Sequence, residues 1–371
     1  MTVYKLLVDM QEYKCNRLLQ LIVFLIIGGG VSMARIKDVA KQAGVSVASV
    51  SRVLAGHSKV SESIRQRVLG AVHDLSYRPD LAARRLRSRQ TDTIGLIVSD
   101  IRNPFFTEVS RAVEDVSYQH HLRVILCNTD EDVEKENLYL DLMRDENVSG
   151  VILSPTLTTL AGFRARDYPF PMVLVDRCDR DTAADAVILD NVDAGYRLTT
   201  HLIDNGYRRN IFFYGTTSAT GRQRREGYVA AMAAHGLEAH AEPVRSTATA
   251  EHGRAAAYER LRRRPLPDAL VASSGLILLG LTEALRESKL RFPDAVALAG
   301  FDDLPWTRLV EPGITVISQP LYEIGRAAIE LLLQRIAKPD QAVRRVVLRG
   351  ELIERGSTAK RNGSAGVSVA A

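Results

Sequence analysis

Apolar positions first recur at helical spacing just past residue 33. Ile36, Val39, Ala40 and Ala43 share one face of a short helix, and Gly44 ends it. Ser46 is placed to cap a second helix, in which Val50, Val53 and Leu54 form the inward stripe. A third helix is predicted from Ser61, with Glu62 in its first turn and Ile64, Val68, Val72 and Leu75 turned inward. Three short helices with a tight glycine turn between the first two predict an all-α helix-turn-helix domain over residues 33–78.

Past Thr91 the period changes. Short β-rich runs alternate with amphipathic stretches: TIGLIVSD (93–100), RVILCNT (123–129), GVILSPT (150–156), PMVLVDR (171–177), NIFFYGTT (210–217), DALVASS (268–274) and VALAGFDD (296–303). Helical patterns lie between them at 105–121, 194–205, 225–235 and 276–289. Near-continuous apolar strands with helical crossovers predict parallel sheets covered on both faces. Roughly 265 residues exceed one comfortable core, so this α/β body is expected to have two lobes. A ligand cleft belongs between the C-terminal ends of their strands.

Composition narrows the class. With 46% hydrophobic and 25% charged residues in 371, neither a disordered tail protein nor a disulfide scaffold fits. The three cysteines (Cys15, Cys127, Cys178) are too scattered for a framework or a metal cluster, which points to a reducing cytoplasm. The net charge of +5 is unevenly spread: residues 33–90 carry +8 and the remainder −3. A positive module on a mildly acidic body suggests a polyanion partner for the module alone.

The first 32 residues are read as an extension ahead of a start at Met33. LLQLIVFLII (18–27) is too short to span a bilayer, which takes about 20 helical residues. It is similar to a signal-peptide core, but secretion would remove a DNA-binding module from DNA. The triple glycine at 28–30 lacks the spacing of a phosphate loop.

On the second predicted helix, Ala48 and Arg52 are four apart and lie opposite the Val50/Leu54 stripe. Ser51 sits beside them and Val47 in the first turn, the end that enters a major groove. Arginine grips guanine O6 and N7, and small apolar side chains fit thymine methyls. Residues 79–91 are read as a hinge helix and linker. DLAARRLRS (80–88) is too short for a stable isolated helix and should fold against a partner. Arg84, Arg85 and Arg87 suggest that this partner is phosphate, and Leu86 suits a minor-groove wedge. Ala83, Arg84 and Leu86 are the expected DNA contacts of this segment.

Three runs carry a specific likeness: MARIKDVAKQAGVSVASVSRVLAG (33–56), KVSESIRQRVLGAVHDLSYRPDLAARRL (59–86) and TIGLIVSDIRNPFF (93–106). They resemble the lactose/galactose repressor (LacI/GalR) family of bacterial regulators, and the similarity extends to about Gly356. The resemblance implies a DNA-binding transcriptional repressor with a two-lobed sensor of the type I periplasmic-binding-protein-like fold. It implies that Val47, Ala48 and Arg52 read bases and that Leu86 levers open the centre of a palindromic operator. Asp80 stands where the family usually has Asn. By motif position the resemblance carries effector contact onto Phe105, Asp176, Arg224 and Asp302. The lobes are placed at 92–190 with 319–348 and at 191–318 with 349–358, followed by a disordered tail at 359–371.

Two departures bear on the effector. Ser274-Gly275 stand where the family usually has Asn-Asp, and Ala248 stands where some members place an aromatic floor. A nucleobase is therefore not expected. The missing acid, with Arg177 and Arg224 retained near a pocket to which Ser274 also contributes, tilts the expected charge positive and favours a sugar acid over a neutral sugar. No zinc, Walker or nucleophile-elbow motif accompanies the eight histidines, so no enzyme, metal or cofactor is expected. The alternative is a secreted sugar-binding transport receptor. Dyad operators call for a homodimer, and no membrane partner is expected.

Overall fold

The computed structural model describes residues 34–54, 60–75, 77, 91–179, 181–216 and 218–361. It divides into two units, Met1–Ser88 and Arg89–Ala371. In the first, α1 (Ile36–Ala43), α2 (Val47–Leu54) and α3 (Glu62–Asp74) pack around Val39, Val50 and Val68, each fully buried. Gly44 ends α1 at φ 64°, a left-handed conformation that a side chain would strain. The Ser49 amide donates to Ser46 Oγ at 3.1 Å, so Ser46 caps α2. Ala71, absent from the predicted stripe of α3, is buried with Val68, while Ile64, Val72 and Leu75 are half-buried against the cluster.

The second unit contains two six-stranded sheets, each covered on both faces by its own apolar clusters. Sheet one has the order β11-β5-β4-β3-β1-β2 and is parallel throughout: β1 (Thr93–Val98), β2 (Arg123–Asn128), β3 (Gly150–Leu153), β4 (Met172–Val175), β5 (Asp185–Leu189) and β11 (Arg345–Leu348). Sheet two has the order β12-β10-β9-β8-β6-β7: β6 (Asn210–Gly215), β7 (Glu242–Ser246), β8 (Ala269–Ala272), β9 (Ala297–Phe301), β10 (Thr315–Ser318) and β12 (Glu351–Ile353). Only its β10–β12 pair is antiparallel.

The crossover helices of sheet one include α4 (Pro104–Gln119), α5 (Val133–Asp145) and the short α6 (Leu157–Gly162). Those of sheet two are α7 (Asn191–Asp204), α8 (Ala219–Ala234), α9 (Ala250–Leu261), α10 (Gly275–Glu287) and the short α11 (Pro305–Leu309). After β10 the chain returns to sheet one through α12 (Leu321–Ala337) and β11, then goes back to sheet two with β12. Three crossings thus join the lobes, after β5, after β10 and after β11. Among the described residues no helix is long and apolar enough to cross a membrane.

Candidate functional site

The strand ends of the two sheets enclose a cavity of about 240 Å³. Sequence reasoning named Phe105, Asp176, Arg177, Arg224, Ser274 and Asp302 from five separate segments, and all six residues line it. Four acids of its wall, Asp130, Glu131, Asp176 and Asp302, have positive φ (53°, 62°, 69° and 75°). Such residues are uncommon, and backbone strain of this kind gathers at ligand sites. The chain therefore places these carboxylates just past the ends of β2, β4 and β9 at some conformational cost.

On the first lobe, Arg177 is buried and fully engaged. Its Nη1 and Nη2 donate to the two Glu131 oxygens at 2.7 and 2.5 Å, its Nε donates to Asp176 Oδ2 at 3.1 Å, and Nη2 reaches Ser99 Oγ at 3.2 Å. Burial works against its charge, but Glu131 and Asp176 outweigh that and raise its pKa. Burial pushes the Asp176 carboxyl up, with Arg177 and Arg224 opposing. Asp176 Oδ1 accepts from no group among the described residues. Phe105 and Phe106, 4.9 Å apart and edge to face, supply the apolar wall, and Asn103 caps their helix by accepting from the Phe105 amide at 3.1 Å.

On the second lobe, Asp302 is held from two sides. Gly275 N donates to Oδ2 at 2.8 Å and Gln319 Nε2 to Oδ1 at 2.6 Å. Arg224 lies over the Phe301 ring at 4.0 Å, and donates from Nε to Asn191 Oδ1 at 2.8 Å and from Nη1 to the Ser273 carbonyl at 2.6 Å. Its Nη2 has no acceptor among the described residues. Burial lowers its pKa, against the fields of Asp302 and Asp176. Ser274 caps α10, its Oγ accepting from Ile277 N at 3.4 Å. Ala248 lines the cavity beside Thr247 and Thr249, so no aromatic floor rises from this side.

The expected positive tilt is not found. The wall carries five carboxylates, at Asp100, Asp130, Glu131, Asp176 and Asp302, against three guanidiniums, at Arg102, Arg177 and Arg224. Arg177 is moreover spent on Glu131 and Asp176, and so cannot serve as a free anion receptor. Glu131, Asp130, Ser99, Gln319 and Asn191 escaped sequence reasoning. The signal that could have found the first three is position, at or just past the C-terminal end of an apolar strand.

In the helical unit, Ala48 and Arg52 are exposed, Val47 and Ser51 half-buried, and Val50 and Val53 buried. One face of α2 is thus open while the other holds the fold. Ala83, Arg84 and Leu86 lie outside the described residues, as do residues 1–32.

Residues 35–80 match the family described as bacterial regulatory proteins, lacI family, and residues 91–355 match the periplasmic binding proteins and sugar binding domain of that family. A relative, the HTH-type transcriptional regulator RegA of Clostridium saccharobutylicum, is 36% identical over 87% of this chain and 98% of its own. The ribose operon repressor of Escherichia coli K12 is 34% identical over 88% of this chain and 100% of its own. Among solved structures, a LacI family transcriptional regulator from Enterococcus faecium with bound ribose is similar at a TM-score of 0.65 and 25% identity, covering 73% of this chain and 100% of that one.

Proposed function

The chain belongs to the lacI family of bacterial regulatory proteins, a DNA-binding transcriptional repressor and no enzyme, and from that premise we propose that a small neutral sugar in the cleft controls its hold on a palindromic operator. The observation that carries the sugar reading is the pairing of carboxylates with an apolar wall: Asp176 and Asp302 face a cavity backed by Phe105. Carboxylates accept from paired hydroxyls, Arg224 Nη2 donates to a ring or hydroxyl oxygen, and the Phe105 ring covers an apolar sugar edge. The volume suits a monosaccharide, lying below the ~300–1,000 Å³ usual for larger ligands. The ribose-bound relative supports the same class.

One observation favours a sugar acid instead, namely the unsatisfied Nη2 of Arg224. The acid majority of the wall opposes it, since its carboxylates outnumber its guanidiniums by five to three and repel a ligand carboxylate. Calorimetry with matched pairs, aldoses against their aldonic acids, decides between them. The neutral sugar should bind more tightly, and a clear preference for the acid would reverse the reading.

At the other end of the chain, Val47, Ala48, Ser51 and Arg52 are proposed to read the major groove, and Ala83, Arg84 and Leu86 the minor groove at the operator centre. Two-fold operators need two copies of α2, so the working form is a homodimer acting in the cytoplasm.

A further inference from the structure

A second cavity, of about 280 Å³, opens on the second lobe. Its lining includes Tyr214, Arg222, Arg225 and Arg245, with Glu226 as the only acid there among the described residues. The arginines converge from two elements. Arg222 and Arg225 are three apart on α8 and share a face, and Arg245 is the ladder partner of Tyr214 across β6 and β7. Two half-buried arginines of this lobe are neutralised at close range, Arg355 by Asp303 at 2.6 Å and Arg260 by Glu242 at 2.9 Å. Arg222, Arg225 and Arg245 have no carboxylate partner of this kind among the described residues. Arg225 Nε is buried without any hydrogen-bond acceptor, and its guanidinium lies 5.5 Å from the centre of the Tyr214 ring. Burial pushes the Tyr214 phenol up, yet Arg225 and Arg245 beside it hold its pKa below the ordinary value.

Three guanidiniums gathered around one cavity repel one another, and a buried donor left unpaired is costly. Packing does not account for either feature: Arg222 and Arg245 are exposed, and the half-buried Arg225 leaves its Nε without an acceptor. Both are relieved by an oxyanion carrying several acceptor oxygens and about two negative charges. We propose that this cavity is a binding site for a phosphate group, free or as the monoester of a small metabolite, separate from the effector cleft. Arginine forks match phosphate oxygens in pairs, and the Tyr214 hydroxyl adds a donor. The two sites share α8, which turns Arg224 into the cleft and Arg222 and Arg225 to this side. A phosphorylated metabolite would thus reach the regulator by a route of its own.

The test is calorimetric titration of the full chain with inorganic phosphate and with glycerol phosphate, at constant ionic strength and with chloride as the control. One phosphate group should bind per chain, and the pair Arg222→Gln with Arg245→Gln should weaken it by about tenfold or more, as loss of charge-assisted hydrogen bonds does. Monosaccharide affinity should stay unchanged in that variant. Glu226→Gln should tighten phosphate by removing the one acid of the lining among the described residues. Tighter binding of glycerol phosphate would assign the ester as ligand, and equal binding would assign the free ion. Phosphate affinity unaltered in the double arginine variant, or binding no stronger than that of chloride, would overturn the proposal. So would competition by a neutral sugar, which would place the anion in the cleft.

Discussion

At the residue scale the cleft turns on how Asp302 and Arg224 are held. A Cβ on Gly275 would stand 3.0 Å from Leu304 Cδ1 and 3.1 Å from Asp302 Oδ2. The glycine therefore leaves room for the backbone N–H that fixes Asp302. Gly275→Asp would set a second carboxylate beside the first, costing about 3–4 kcal/mol at 4–6 Å and an effective dielectric near 20. Sugar affinity should fall by tenfold or more, read by calorimetry on the full chain (tenfold is about 1.4 kcal/mol). Arg224→Ala should abolish sugar binding and leave DNA affinity in sugar-free buffer intact. The place of both residues in the cavity wall was legible from motif position, but the charge balance was not. Glu131 lies 46 residues before Arg177, and nothing local in the sequence says that the two pair bidentately.

A titration prediction belongs to the same scale. Asp268 is buried and accepts from Arg208 N at 3.0 Å, Arg209 N at 2.9 Å and Arg361 Nη1 at 2.8 Å. Burial raises its pKa, but these donors outweigh burial and hold the carboxyl below its ordinary 3.8. A depressed folded pKa stabilises above the unfolded value and loses that stabilisation as pH falls through the folded one. Asp268→Asn should therefore destabilise at pH 7 and flatten the loss of stability below about pH 4, seen in urea titrations at several pH values.

Among the elements, most strands buried on both sides were readable, β10 excepted, and of the edge strands only β2 was, through its apolar run VILC. The inner strands β1, β3, β4, β6, β8 and β9 are wholly buried and read as apolar runs. The other three edge strands, β7, β11 and β12, are half-exposed, and β7 carries Pro243, which an edge tolerates. They gave no run to recognise. Strand β5 escaped for another reason: no long helix separates it from β4, so the alternation that marked the others is broken. Helix contacts hid likewise. A Cβ on Gly195 of α7 would come within 2.1 Å of the Arg224 carbonyl oxygen on α8, a backbone approach that only glycine allows. Gly195→Ala should cost about 1–3 kcal/mol of stability, the usual range for overpacking. Because the displaced carbonyl belongs to Arg224 itself, sugar affinity should fall as well. A variant with native stability and affinity would show that the helices have slack.

At the scale of the whole molecule, a base-reading helix and a two-lobed sensor lie on one chain, and the family places both on repressors. Arg52→Ala should weaken operator binding by about 1–3 kcal/mol and relax one symmetric base position, the effect of losing a bidentate guanine contact. An equal loss on random DNA would reduce Arg52 to a phosphate contact. The domain order was plain in the sequence because each unit has its own period, helical before residue 78 and alternating strand and helix after 91. The ligand class was less plain, since it depends on which charges the fold brings together.

The central claim is that a sugar held by Asp302 and Arg224 governs DNA binding by α2. Fluorescence anisotropy on a labelled fragment of the DNA upstream of the chain's own coding region tests it directly, with monosaccharides titrated into the full-length wild type and the Arg224→Ala variant. A neutral sugar should shift wild-type affinity for that fragment by tenfold or more, about 1.4 kcal/mol of coupling, and leave the variant unmoved. Binding that no sugar alters, or a variant that responds as the wild type does, would contradict the account.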